Sequence, residues 1–190
     1  MIRPQLIIFV KAPLIGKAKT RLAADIGRVQ SWRIFPSMTA KLLRDLRSES
    51  WDISLAVTPA QWRGKMPLWV GFHQYPQTSG SLSPRLAQAF STKGPIVVIG
   101  SDCPEVKKSD IRNAIRQVRR GKVVFGPARD GGFWLMAAQG PLAHQRFENI
   151  RWSSEHTLAD MEKNMPQKII KLRMLTDIDD LEALKLYGKI

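Results

Sequence analysis

Basic side chains and one glycine crowd a short segment near the amino terminus. Its candidate phosphate-binding residues are Lys11, Pro13, Gly16, Lys17, Lys19, Thr20 and Arg21, with no acid among them. The segment follows the apolar run 5–10, which is typical of a buried strand, so it would lie where open α/β sheets bind ligands. Gly16 would let the backbone approach an anion, and Thr20 would open a helix whose amides face it. We interpret the segment as an anion-binding loop; the alternative is a solvated basic loop.

A second candidate site lies in residues 100–104, directly after the β-branched run 96–99. A carboxylate at the carboxyl end of a strand is well placed to hold Mg²⁺ or Mn²⁺, because these hard cations prefer oxygen ligands and bridge to phosphates. We therefore interpret Asp102 as a metal ligand and Ser101 as a substrate contact. Capping of the next turn by Asp102 explains that residue equally well.

A third candidate site is the turn 126–132, in which Asp130 precedes two glycines, Gly131 and Gly132. Adjacent glycines between strands indicate either a tight turn or backbone pressed against a ligand. Asp130 would bind metal or a sugar hydroxyl there, and it is also our candidate general base. A bare Asp-Gly hairpin turn, which needs no function, is the alternative.

Three carboxylates fall within four positions near the carboxyl terminus, at Asp177, Asp179 and Asp180. Such a cluster is unexpected in a chain this basic. We expect Asp177 and Asp179 to complete a metal site with Asp102. Capping of a last helix, predicted over residues 179–186, is at least as good an explanation for any one of them.

The elements that must position these residues alternate between strand and helix. Apolar runs predict strands over residues 5–10, 53–57, 68–72, 96–99, 122–125, 133–137 and 169–172. Amphipathic spacing predicts helices over residues 30–47 and 82–90, a helix capped by Ser109 or Asp110, a helix from Ser153 or Ser154 to about Asn164, and the last helix. The alternation predicts one α/β domain over residues 1–190, with a mostly parallel sheet covered on both faces.

Composition predicts a cytoplasmic globular protein. The 190 residues are 44% hydrophobic and 24% charged, an ordinary balance for a globular domain. No apolar run approaches the length of a membrane span or of a signal-peptide core. The single cysteine, Cys103, excludes an internal disulfide, and we interpret it as a small buried thiol rather than a nucleophile.

Charge is the unusual bulk feature, because 30 Lys and Arg against 16 Asp and Glu give a formal net charge of +14. Such a field attracts polyanions, including nucleic acid and phosphorylated metabolites. The outer side of the helix after residue 110 would carry Arg112, Arg116, Arg119 and Arg120. A nucleic-acid-binding module is therefore an alternative function, and a solubilising surface explains the charge equally well.

Taken together, the motifs resemble those of a family in the glycosyltransferase type A superfamily, named transferase 1, associated with radical-SAM/selenodomain proteins. The matching segments are Lys-x-Pro-x-x-Gly-x-x-Lys-Thr-Arg-Leu at 11–22, Ile-Gly-Ser-Asp-Cys-Pro at 99–104, Gly-Pro-Ala-Arg-Asp-Gly-Gly-Phe at 126–133, Phe147 with Ile-Arg-Trp at 150–152, and Asp-Ile-Asp at 177–179. They span nearly the whole chain in the family's order. More distantly, the chain is similar to molybdenum-cofactor and phospholactate nucleotidyltransferases.

The resemblance implies a three-layer α/β/α nucleotide-diphospho-sugar transferase fold, a nucleotide or nucleotide-sugar substrate, and Mg²⁺ or Mn²⁺ as cofactor. It implies that loop 11–21 holds the phosphates and that Asp102 binds the metal. The turn 130–132 would line the acceptor or sugar side. The family often has Gly-Asp-Leu-Gly before an Arg-Leu pair. At 80–86 this chain has Gly-Ser-Leu-Ser-Pro followed by Arg-Leu. Gly80 and Arg85 remain candidate substrate contacts in that segment.

These features predict a metal-dependent glycosyl- or nucleotidyltransferase. Negative charge would grow on a phosphate leaving group, and Lys11, Lys19 and Arg21 would stabilise it together with the metal. The acid missing at position 81 leaves a second possibility open, a degenerate homologue that binds a nucleotide without turnover.

Overall fold

Seven strands in the described part of the chain form one mixed sheet. The computed structural model describes residues 2–13, 24–176, 178, 181 and 185, with Arg28, Ser31 and Phe35 described by backbone only. The strands are β1 (Gln5–Lys11), β2 (Asp52–Thr58), β3 (His73–Pro76), β4 (Gly94–Gly100), β5 (Val123–Pro127), β6 (Phe133–Gly140) and β7 (Ile169–Lys171). Their spatial order is β3-β2-β1-β4-β6-β5-β7, and β6 runs antiparallel to both of its neighbours. The predicted mostly parallel sheet is confirmed.

Helices cover both faces of this sheet. They are α1 (Arg28–Asp45), α2 (Leu82–Ala89), α3 (Lys108–Val118) and α4 (Thr157–Lys163). Alternate side chains of a strand point to opposite faces, so Leu6 and Ile8 of β1 pack in the core that includes α1 and α3, whereas Ile7 packs in the core that includes α2 and α4. The chain therefore has the predicted three layers.

The register brings the candidate motifs to one edge of the sheet. Phe9 pairs with Gly100 in the parallel β1–β4 ladder, so both strands end at the same level. Leu135 pairs with Ile99 in the antiparallel β4–β6 ladder, so β6 begins where β4 ends. The turn after β4 and the turn between β5 and β6 consequently meet at the carboxyl edge of the parallel strands.

The predicted strand over 68–72 is wrong. A 3-10 turn at Pro67–Trp69 turns the Trp69 side chain into the core, where it is 1% exposed, while Val70 is 70% exposed. Gly71 then adopts φ +82°, a left-handed conformation that interrupts an extended chain. The strand follows instead at His73–Pro76, a polar, half-buried segment at the edge of the sheet.

Two predicted helix starts are also displaced. Helix α3 begins at Lys108, and Asp110 stabilises it from the third helical position by accepting a hydrogen bond from the Lys107 amide at 2.9 Å. Helix α4 begins at Thr157, not directly after Ser153 or Ser154. In both cases the sequence pattern marks a polar side chain near the helix as its cap, and the helix begins a few residues away.

The other predicted elements agree with the structure within a few residues. Helix α3 carries Ile111, Ile115 and Val118 into the core as predicted, and the Cys103 thiol is buried. The last predicted helix lies outside the described residues apart from Leu181 and Lys185. None of the helices in the described ranges is both long and apolar enough to cross a membrane.

Candidate functional site

A cleft of about 650 Å³ opens at the carboxyl edge of the sheet. This volume is within the usual range of small-molecule sites. The cleft lies among the start of α2, the turn after β4, the β5–β6 turn and the segment that leads into α4. Five residues predicted from separate sequence motifs line it: Gly80, Arg85, Asp102, Asp130 and Gly132.

The turn after β4 places the Asp102 side chain in the cleft. A Cβ atom built on Gly100 would lie 2.5 Å from Asp102 Oδ1, so glycine lets this carboxylate fold back over the end of the strand. Ser101 and Cys103 are buried on either side of it in sequence, and of these two Cys103 lines the cleft. The turn therefore presents the Asp102 carboxylate to the cleft, and the residues before and after it in sequence are buried.

The acidic segment near the carboxyl terminus is tied to the same turn at one described point. The Ile178 amide donates a hydrogen bond to the Asp102 carbonyl at 3.1 Å. Asp177 and Asp179, the neighbours of Ile178 in sequence, lie outside the described residues. Within the described residues no group of three His, Cys, Asp or Glu is arranged to hold a metal. The metal site of Asp102 with Asp177 and Asp179 therefore stays a prediction.

The β5–β6 turn has the geometry of a tight hairpin connection. Asp130 Oδ1 accepts a hydrogen bond from the Gly132 amide at 2.9 Å. Gly131 adopts φ +85°, and a side chain there would overlap the Glu155 backbone. The Gly131 carbonyl also accepts a hydrogen bond from the Leu158 amide at 3.0 Å. The close approach at Gly131 is thus to the chain itself, while Asp130 and Gly132 face the cleft.

Helix α2 contributes a cation to the cleft. Arg85 Nη2 donates a hydrogen bond to the Gly80 carbonyl at 2.9 Å, but its Nε is buried and has no partner in the described part of the chain. No carboxylate among the described residues forms an ion pair with Arg85. The side chain can therefore donate to an anion that enters the cleft.

Aromatic side chains form an apolar wall that the sequence reasoning missed. Phe9, Phe133, Trp134 and Trp152 line the cleft. Trp152 Nε1 donates a hydrogen bond to Ser83 Oγ at 2.8 Å, which links the segment before α4 to the first turn of α2. Phe133 and Trp152 lie in segments that carry the family resemblance, 126–133 and 150–152, but neither is among the substrate contacts predicted from the sequence.

The segment before α4 is held by an ion pair between Arg151 and Asp160. Asp160 accepts hydrogen bonds from the Arg151 amide, Nε and Nη2 at 3.2, 2.8 and 2.8 Å. The hydrogen bonds from the Arg151 guanidinium contribute most, and the bond from the Arg151 amide adds to them. Together they hold the pKa of the Asp160 carboxyl well below its usual value. The Arg151 carbonyl accepts hydrogen bonds from the hydroxyls of Ser154 and Thr157. Trp152 is therefore carried on a segment whose polar groups are bonded internally.

The basic loop is described only at its start. Lys11 ends β1 with an exposed side chain, and the Trp32 indole donates a hydrogen bond to the Pro13 carbonyl at 2.6 Å. Neither Lys11 nor Pro13 lines the cleft. The remaining candidates of this loop lie outside the described residues: Gly16, Lys17, Lys19, Thr20 and Arg21.

Comparison with protein families gives a match over residues 42–154, more than half of the chain, to the family described as uncharacterized protein conserved in bacteria (DUF2064). The chain belongs to this family. The DUF2064 match covers all three cleft motifs: the start of α2, the turn after β4 and the β5–β6 turn. A search of curated proteins found no match.

Solved structures share the fold of this DUF2064 chain. A protein from Desulfovibrio desulfuricans G20, provisionally described as a nucleotide-diphospho-sugar transferase, superposes with a TM-score of 0.87 at 23% identity, covering 98% of this chain and 87% of that one. The 4-diphosphocytidyl-2C-methyl-D-erythritol synthase of Anaerococcus prevotii DSM 20548 has a TM-score of 0.65 at 10% identity over 98% of both chains. Rv0371C of Mycobacterium tuberculosis H37Rv, in a complex with manganese, has a TM-score of 0.58 at 14% identity over 97% of both chains.

These likenesses establish the fold. The sheet order and the three layers are those of a nucleotide-diphospho-sugar transferase-like α/β protein, as the resemblance implied. Identity below one quarter does not carry a substrate from one protein to another, so the chemistry has to be inferred from the cleft itself.

Proposed function

We propose that this protein transfers a nucleotidyl or glycosyl group from a nucleotide-linked donor, with Mg²⁺ or Mn²⁺ as cofactor. One observation carries the proposal: Arg85, Asp102 and Asp130, which belong to three separate segments of the sequence, line a single cleft. A cation and two carboxylates in one cleft at the carboxyl edge of an α/β sheet suit a phosphorylated ligand that arrives with a metal ion.

Asp102 would hold the ion, with Asp177 and Asp179 as further ligands. Carboxylate oxygens are the donors that Mg²⁺ and Mn²⁺ prefer. Ile178, between the two aspartates in sequence, is hydrogen-bonded through its amide to the Asp102 carbonyl. When bound, the ion would neutralise charge on the phosphates of the donor. Its chemistry suits both nucleotidyl and glycosyl transfer, because each leaves a phosphate-bearing group.

The chain's own residues would bind and orient the donor. Arg85 would hold a phosphate or sugar oxygen through its guanidinium, and Lys11, Lys19 and Arg21 would add positive charge beside the phosphates. Asp130 would accept the proton of the attacking hydroxyl, since it borders the cleft and is exposed. The aromatic wall would exclude water and stack against a base or sugar ring.

The comparisons support this proposal. One protein of the same fold is named for a diphosphocytidyl product, and another is described in a complex with manganese. Both descriptions fit a cleft that accepts a nucleotide and a divalent ion.

Isothermal calorimetry with a panel of nucleoside di- and triphosphates, with Mn²⁺ and with EDTA, tests the proposal. We expect at least one nucleotide to bind the wild type with Mn²⁺, and Asp102→Asn to lose the Mn²⁺-dependent part of the affinity. Glu49→Gln is the matched control, because it also removes one charge and lies in the turn before β2, at the other edge of the sheet. If no nucleotide binds the wild type above background, the proposal fails.

Turnover separates an active transferase from a degenerate homologue. Phosphorus NMR would follow pyrophosphate release from a triphosphate with sugar phosphates, or nucleoside diphosphate release from nucleotide sugars. Product formation that depends on Asp102 supports transfer. Tight binding without any product supports the degenerate homologue.

A further inference from the structure

A second concave surface lies on the outer side of α3, away from the cleft. Its lining residues are Ser50, Trp51, Arg112, Ile115, Arg116, Arg119 and Arg120, around a groove of about 400 Å³. We call this surface the arginine groove. The proposed transferase reaction uses none of these residues.

The arginine groove and the cleft lie at opposite edges of the sheet. Trp51 directly precedes β2, and the Asp52 amide donates a hydrogen bond to the carbonyl of Pro4, just before β1, so the groove borders the amino ends of the parallel strands. Gly100 and Asp102 border the cleft at the carboxyl ends. Strands of seven residues separate these edges by about 20 Å. A ligand in one does not occupy the other.

The four arginines are exposed and unneutralised by the described residues. Of their guanidinium groups, that of Arg116 donates a hydrogen bond of 2.9 Å from Nη2 to Asn113 Oδ1. No carboxylate in the described ranges forms an ion pair with any of them, and the nearby Asp52 is paired with Arg3 at 2.9 Å. Favourable interaction with the carboxyl end of α3 explains basic residues in its last turn. It does not account for Arg112, which lies in the second turn, nor for the groove.

The geometry suits a chain of phosphates. Arg112, Arg116 and Arg119 follow one another at spacings of four and three residues, so they share one face of α3 over about 10 Å. Each guanidinium offers a planar fork that binds phosphate oxygens in pairs. Trp51 and Ile115 form a buried apolar floor beneath them.

We propose that the arginine groove binds the phosphate backbone of a nucleic-acid strand. Its charge, and the net charge of +14, are complementary to a polyanion. An acidic membrane fits less well, because the exposed large apolar side chains of the described residues lie elsewhere, at Ile2, Val29, Trp32, Val70 and Met174. The site contacts the backbone and not the base edges, so binding has little sequence preference.

Fluorescence anisotropy of labelled single-stranded RNA and DNA of about 20 nucleotides, titrated with the full chain over a range of KCl, tests this proposal. We expect log affinity to fall with log salt with a slope near −3, as four phosphate contacts give for a single strand. The variant Arg116→Glu with Arg119→Glu should lose at least about tenfold in affinity near physiological salt and show a shallower slope.

The matched control is Arg63→Glu with Lys65→Glu, which changes the net charge by the same amount at two exposed residues away from the groove. The control should lose less than about threefold, since only the general field changes. Equal losses in both variants, or no wild-type binding tighter than about 100 μM at physiological salt, would overturn the proposal. Binding of anionic phospholipid vesicles that competes with RNA and is lost with the same arginines would reassign the groove to a membrane surface.

Discussion

Arg85 in α2 and Arg151 in the segment before α4 belong to two walls of the same cleft, and their guanidinium groups are used differently. The Arg151 guanidinium donates two hydrogen bonds to the carboxylate of Asp160. The Arg85 guanidinium donates one to the Gly80 carbonyl and keeps a buried Nε without a partner among the described residues. Because the hydrogen bonds of Arg151 go to Asp160, Arg151 stabilises the cleft wall. Arg85 keeps a donor without a partner among the described residues, so it can bind a ligand. The comparison separates scaffold from proposed site.

The largest effect on stability is expected from Asp160→Ala. The carboxylate is nearly buried and accepts three hydrogen bonds from Arg151, so its loss leaves the guanidinium and an amide without their acceptor. We expect the Tm to fall by at least about 5 °C in a thermal melt followed by circular dichroism. Glu155→Ala, at an exposed acid of the same segment, should change the Tm by less than about 2 °C. Similar melts for both variants would remove the distinction between the two walls.

Arg85→Gln should have the opposite profile. Because Arg85 contributes one hydrogen bond to the fold, we expect its loss to lower the Tm by less than about 2 °C. Affinity for a nucleotide with Mn²⁺ should fall by about tenfold or more, since a charge-assisted bond to the ligand is lost. Arg63→Gln, at an exposed arginine outside the cleft, is the control for calorimetry. Unchanged affinity together with a large loss of stability would make Arg85 a structural residue.

Acid should selectively weaken the ion pair between Arg151 and Asp160. The Arg151 guanidinium lowers the pKa of the Asp160 carboxyl in the folded protein, so the folded state holds this proton less tightly than the unfolded state. The resulting stabilisation is present above the ordinary carboxyl range, near pH 4, and is lost as the pH falls towards the folded pKa. The free energy of unfolding measured in urea should therefore fall more steeply below about pH 4 for the wild type than for Asp160→Ala. Parallel pH profiles would contradict this assignment.

The smallest effect is expected at an unsatisfied donor outside the cleft. The Tyr75 hydroxyl is buried without a partner in the described ranges, and burial raises the pKa of the phenol to about 12. Tyr75→Phe removes a desolvated hydroxyl, so it should leave nucleotide affinity unchanged and raise the Tm by about 1 to 2 °C.

The pH dependence checks the same residue. The phenol ionises near pH 10 in the unfolded chain and near 12 in the folded one, so the wild type loses stability as the pH rises from about 10 to 12. Thermal melts of Tyr75→Phe should lack that part of the alkaline loss. A lower Tm at neutral pH, or a weaker nucleotide affinity, would contradict the view that only unsatisfied donors inside the cleft serve ligands.

Local patterns predicted the parts of the fold that they control. The β-branched run 96–99 predicts a buried strand, and the structure has β4 there. The spacing of Ile111, Ile115 and Val118 predicts an amphipathic helix, and these three side chains are buried on α3. The strand after β2 was misplaced because Trp69 enters the core from a 3-10 turn, while the true edge strand is polar. Edge strands bury little surface, so their sequences carry a weak signal.

The sequence predicted the turns of the candidate site and the contacts Gly80 and Arg85, and it missed the aromatic wall. Asp102 and Asp130 follow or precede strands, so the strand pattern locates them at one edge of the sheet. Trp152 lines the cleft on a segment held by the Arg151–Asp160 pair, and its indole donates a hydrogen bond to the Ser83 hydroxyl. These contacts join residues that are 9 and 69 positions apart, and neither separation produces a helix or strand periodicity in the sequence.

Electron paramagnetic resonance of Mn²⁺ tests whether Asp102 makes the cleft a metal-dependent nucleotide site. Titration of Mn²⁺ into the wild type with a bound nucleotide should remove the six-line signal of the free ion at a stoichiometry of about one per chain. Asp102→Asn should leave that signal in solution, whereas Glu49→Gln should behave as the wild type does. Equal Mn²⁺ binding by Asp102→Asn and the wild type would contradict the account.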